Sequence, residues 1–81
     1  MNPVMVELCL HPRRFPERES LMPLVAKLAA LGRMECIEFA LAPAGGGQMG
    51  FLMYAKSPAR LREMLVGLVG DDSMVTLSPL S

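Results

Sequence analysis

Gln48-Met49-Gly50-Phe51-Leu52-Met53-Tyr54, approached through Ala44-Gly45-Gly46-Gly47, is the stretch whose reading decides the fold. It reads as the second arm of a β-hairpin whose first arm is Met34–Leu41. Each arm has a strand-like counterpart nearer one end of the chain, with an amphipathic helical stretch in between. The hairpin is therefore the centre of a β-α-β-β-α-β order. Side chains of a strand alternate between its two faces. In the first arm this predicts Ile37, Phe39 and Leu41 toward the helices, and Cys36, Glu38 and Ala40 away from them. The loop Pro43-Ala44-Gly45-Gly46-Gly47 exceeds a two-residue turn, and its three glycines predict a mobile tip, able to serve as a lid. The third strand, Gly50–Ala55, sets Phe51 and Met53 on one side against Leu52 and Tyr54 on the other. Apolar residues on both sides point to a central strand covered on both faces.

Outward from the hairpin, the first strand is Val4–Leu10, where Val4, Val6, Leu8 and Leu10 alternate with Met5, Glu7 and Cys9. His11–Glu19 is a polar, basic loop broken by Pro12 and Pro16, with Phe15 inside it. The first helix runs from about Ser20 to Leu31. Its stripe is Leu21, Leu24, Val25, Leu28 and Leu31, with Ser20 as the expected cap and Gly32 as the expected left-handed stop. Pro23 falls in the first turn, where a missing amide costs little. Ser57-Pro58 opens the second helix, Leu61, Met64, Leu65 and Leu68 form its stripe, and Gly70 ends it. Asp71-Asp72-Ser73 is a turn, and Met74–Ser78 is the fourth strand.

The chain of 81 residues is expected to form a single domain, 1–81. A domain this small buries only roughly 60% of its unfolded surface. Yet 52% of the residues are hydrophobic, so part of the apolar surface is expected in a partner interface. Eight basic residues balance eight acidic ones, which argues against a phosphate-backbone binder, and hence against nucleic acid as a partner. No apolar run reaches about 18 residues, which argues against a membrane span, and no signal peptide is visible. Cys9 and Cys36 lack CxxC spacing and read as reduced, partly buried thiols of a cytoplasmic protein.

The element order resembles the ferredoxin-like split βαβ fold. This implies an α+β βαββαβ sandwich: a four-stranded antiparallel sheet in the order 4-1-3-2, with two helices on one face. The resemblance leaves the opposite face to Met5, Glu7, Cys9, Cys36, Glu38, Ala40, Met74 and Thr76. That face is half apolar, so it is expected to form a homodimer interface through Met5, Glu7, Cys9, Cys36, Glu38 and Met74. Two groups share the layout. Modules of the ACT kind resemble it and imply a small ligand held at subunit contacts. The dimeric α/β-barrel group, with its small monooxygenases and muconolactone isomerase-like enzymes, also resembles it. That group implies a cofactor-independent active site in a cleft of each subunit.

His11, Arg13 and Arg14 are the candidate ligand residues, at a strand end where loops gather. Paired guanidiniums beside an imidazole suit a small anionic ligand, or general base chemistry with Tyr54 under the enzyme reading. Against this stands a solvated loop neutralised by Glu17 and Glu19. Cys9 and Cys36 would stand about two strand spacings, roughly 9–10 Å, apart in that sheet, too far to share a zinc ion at about 2.3 Å from each sulfur. No metal and no cofactor is therefore expected. The glycine run lacks a following Gly-Lys-Ser/Thr and a helix, so it is not a phosphate loop. Phe51 and Tyr54 lie on opposite faces of one strand and do not make an RNA-stacking platform. A non-catalytic, homo-oligomeric ligand- or partner-binding module is the leading expectation, ahead of the barrel-type enzyme.

Overall fold

The computed structural model describes residues 2–80, with Arg18 described by its backbone alone. The elements are β1 (Asn2–Leu10), α1 (Leu21–Leu31), β2 (Met34–Leu41), β3 (Gly47–Ala55), α2 (Pro58–Val69) and β4 (Val75–Pro79). Short 3-10 turns at Arg18–Ser20 and Asp72–Met74 lead into α1 and β4. The four strands form one antiparallel sheet in the order β2-β3-β1-β4, which is 4-1-3-2 counted from the β4 edge. The protein is thus α+β, a four-stranded antiparallel sheet with two helices.

β1 pairs with β3 along its whole length, from Asn2 opposite Ala55 to Leu10 opposite Gly47. Alternation on β1 puts Val4, Val6, Leu8 and Leu10 on one face, and all four are buried. Across from them stand Met53, Phe51 and Met49, also buried. The face of the third strand is thereby settled: Phe51 and Met53 go inward, while Leu52 and Tyr54 lie half-buried on the other side. Leu21, Leu24 and Leu28 of α1 join the same cluster as Leu61, Leu65 and Val69 of α2, so both helices cover one face. In α2 it is Val69, rather than Met64, that completes the buried stripe. Phe15 is buried in this cluster too, and anchors an otherwise polar loop.

Local capping follows the sequence in α2 and departs from it in α1. Ser57 caps α2 by accepting from the Arg60 amide at 3.3 Å, and Pro58 takes the first helical position. Gly70 has φ 84°, and its amide donates to the Val66 carbonyl at 2.7 Å. Ser20, by contrast, does not cap α1; its hydroxyl donates to the Glu17 carbonyl inside the 3-10 turn. Gly32 has φ 164°, an extended conformation and not the expected left-handed one. β2 begins two residues later, at Met34.

β2 departs most from expectation. Register places Phe39 opposite the buried Met49, so Ile37, Phe39 and Leu41 lie on the helix side as predicted. They are nevertheless 42%, 45% and 37% exposed, because β2 is an edge strand. A bulge at Cys36, the one non-glycine residue with positive φ (54°) among those described, shifts the register between Glu35 and Glu38.

The glycine loop also differs. Instead of a free tip, Gly45 and Gly46 are buried. The Gly46 amide donates to the Phe15 carbonyl at 2.8 Å, clasping the hairpin to the β1–α1 loop. Gly46 has φ 72°, and a Cβ there would meet the Leu10 carbonyl and lie 2.9 Å from the Pro12 nitrogen. Only glycine permits so close a backbone approach.

Candidate functional site

Two regions hold the residues singled out by the sequence. The first is the loop after β1. Arg14 and Phe15 donate their amides to the His11 carbonyl at 3.1 and 2.9 Å, closing a tight turn. The Arg13 amide donates to Nδ1 of His11 at 3.1 Å, so that nitrogen is an acceptor. The Arg14 guanidinium reaches the end of α2, donating to the Val69 carbonyl at 2.5 Å and the Leu68 carbonyl at 3.4 Å. It satisfies terminal carbonyls that have no partner within the helix, at the negative end of the helix dipole. The Arg13 side chain is exposed. Among the described residues, Glu17 and Glu19 form no ion pair with either arginine. The loop thus joins His11 and Arg13 through one hydrogen bond and commits Arg14 to α2.

The second region is the open face of the sheet. Pairing sets Thr76, Glu7, Gly50 and Glu38 in one row across all four strands. Ser78, Met5, Leu52 and Glu35 form the row beside it, and Cys9, Gln48 and Ala40 the row on the other side. Gly50 supplies no side chain, so the central row dips between two carboxylates. The result is a concavity of about 400 Å³ lined by Met5, Glu7, Cys36, Glu38, Gln48 and Gly50, among others. Glu7 and Glu38 flank Gly50 from the two neighbouring strands, about two strand spacings apart. An ionised carboxylate accepts hydrogen bonds and donates none, so this floor suits an ammonium or guanidinium donor beside an apolar body.

At the end of this face, Arg33 pairs with Oε1 of Glu35, and Tyr54 donates its hydroxyl to Oε2 of Glu35 at 3.2 Å. The Arg33 guanidinium lies 5.3 Å from the Tyr54 ring centroid. Sequence reasoning missed this cluster, because only the register that sets Glu35 opposite Leu52 brings Glu35 near Tyr54. A second concavity, about 360 Å³, lies among Leu31, Tyr54, Lys56, Arg60 and Met64, at the start of α2.

The cysteines and Met74 need correction. Cys9 and Cys36 are free but exposed, not partly buried. Cys36 lines the concavity, whereas Cys9 stands opposite Gln48 on β3. Met74 precedes β4 in a 3-10 turn and packs against the edge of the core, because β4 begins one residue later than expected. Among the described residues, no three His, Cys, Asp or Glu side chains stand close enough to hold a metal ion, and no helix is long and apolar enough to cross a membrane. Compared with protein-family models, curated proteins and solved structures, the chain matches none of them.

Proposed function

We propose that this chain is a non-catalytic, homo-oligomeric module of ferredoxin-like architecture that binds a small ligand or partner on its open sheet face. The element order, the 4-1-3-2 order and the shared helix face support the ferredoxin-like part. One observation carries the functional part. Apolar side chains of both helices and of β1 and β3 form one buried cluster between helices and sheet, while a concavity of about 400 Å³ lined by two carboxylates lies on the opposite face. A barrel-type enzyme would keep convergent polar groups in that interior space. A binding module needs only the outer concavity.

The charge of the site favours a cation-bearing ligand. Glu7 and Glu38 both line the concavity, and none of its lining residues is basic. A small anion, if bound, belongs instead at His11 and Arg13. Amide chemical shifts recorded with benzylamine and then with benzoate test the reading. The expected result is saturable movement of Glu7, Gly50 and Glu38 with benzylamine, abolished by Glu7→Gln with Glu38→Gln. Movement of His11 and Arg13 with benzoate alone would relocate the ligand to the loop. Silence with both compounds would sink the ligand-binding reading.

A further inference from the structure

Two copies of this chain can meet on the open face or along an edge of the sheet, and the residues of β2 favour the edge. The open face carries Glu7 and Glu38 without an ion pair among the described residues, beside Glu35, which is paired with Arg33. Stacking two such faces would bring like charges into a contact poor in water. β4 is only five residues long and ends in Pro79, which cannot donate an amide. β2 contains no proline, and beyond the Cys36 bulge its regular stretch, residues 37–41, is free of strand pairing on its outer side among the described residues. An edge that carries apolar side chains in this way is a template for another strand. The Gly46 clasp draws the hairpin loop inward, toward Leu10 and Phe15 at the end of β1, and so leaves the outer side of β2 clear.

We propose that a second copy of this chain docks on the outer edge of β2, antiparallel, with Phe39 facing Phe39 of the copy across a two-fold axis. This rests on the homo-oligomeric part of the reading above. The register follows from the side chains. In an antiparallel pair, directly opposed residues share a face. Centring on Phe39 sets Ile37 against Leu41 of the copy, and Leu41 against Ile37, so all three exposed apolar side chains are matched with apolar ones. On the other face, Glu38 meets Ala40 of the copy. Centring on Glu38 would oppose two carboxylates. Centring on Ala40 would leave Ile37 opposite Pro43. The product is a continuous eight-stranded sheet that keeps both Gly50 concavities open to ligand.

Light scattering and disulfide trapping test this together. The trapping background is Cys9→Ser with Cys36→Gly, the glycine chosen because residue 36 has positive φ. Wild type is expected at twice the chain mass of 8.8 kDa, and Phe39→Glu at that of one chain with an unchanged far-ultraviolet circular dichroism spectrum. In the trapping background, Phe39→Cys is expected to link to itself under mild oxidation. Ile37→Cys and Leu41→Cys are expected to link only when mixed. If wild type is dimeric but Phe39→Glu stays dimeric and Phe39→Cys does not link, the edge proposal is overturned while the homo-oligomeric reading stands. A wild-type mass of one chain at the highest soluble concentration overturns both, and leaves the ligand reading to the chemical-shift titration.

Discussion

β1 and β2 both alternate apolar with polar residues, yet Val4, Val6, Leu8 and Leu10 of β1 are at most 3% exposed while Ile37, Phe39 and Leu41 of β2 are 37–45% exposed. Beyond the Cys36 bulge the side-chain period is the same. What differs is place: β1 sits between β3 and β4, and β2 lies at the edge. Alternation therefore fixes which side a residue points to, and the neighbours fix whether anything covers it. A central strand turns its pattern into burial within one chain. An edge strand with the same pattern holds apolar surface available to another chain.

The sharpest test of this contrast swaps one aromatic residue in each setting. Phe51, fully buried in β3 opposite Val6, is expected to cost about 3–5 kcal/mol when changed to alanine. Phe39→Ala on β2, measured by urea unfolding at a concentration where the chain is monomeric, is expected to cost under about 1 kcal/mol. Equal losses would mean that β2 is covered within the monomer, and would break the comparison.

A smaller effect is expected where the two regions are clasped together. Gly46→Ala places a side chain against the Leu10 carbonyl at a positive φ, with an expected loss of about 1–3 kcal/mol. Amide exchange should then quicken at position 46, whose hydrogen bond to Phe15 is lost, more than at the paired residues of β1 and β3. A variant as stable as wild type would show that the clasp is not a constraint.

The opposite edge gives the smallest effect. Ahead of β4, the Asp71 carboxyl is held below its ordinary pKa by the Ser73 amide and then by the Ser73 hydroxyl, both of which donate to it. A lowered carboxylate pKa in the folded state adds stability that is present above the unfolded value and fades as pH falls through the folded one. In an NMR titration, Ser73→Ala is expected to raise the Asp71 pKa only part of the way, because the amide donor remains. No change would assign the whole shift to that amide.

Contacts between near neighbours in sequence were the legible ones. Ser57-Pro58 and Gly70 bound α2 through residues three or four positions away. The β-α-β-β-α-β order needed only periodicity and turn residues. The features that escaped depend on distant partners. Arg14 reads as a ligand clamp until the end of α2, 55 residues on, supplies the carbonyl it meets. The glycine run reads as loose until the backbone of Leu10, Pro12 and Phe15 is placed against it. Gly50 enters the sequence only as the first residue of the third strand, and its place between two carboxylates needs the register of three strands. Ser20 misled in a different way. Its local signal was genuine, but a 3-10 turn ahead of α1 captured the hydroxyl first.

The Gly46 clasp also decides where this chain tolerates being lengthened or opened. Hairpin tips are the usual choice for grafting a peptide or for moving the termini of a circular permutant. Here Pro43 and Ala44 are exposed, while Gly45 and Gly46 beside them are buried against another loop. An epitope spliced between Pro43 and Ala44 extends into solvent. The same epitope placed two residues later has to displace the first loop of the protein to make room.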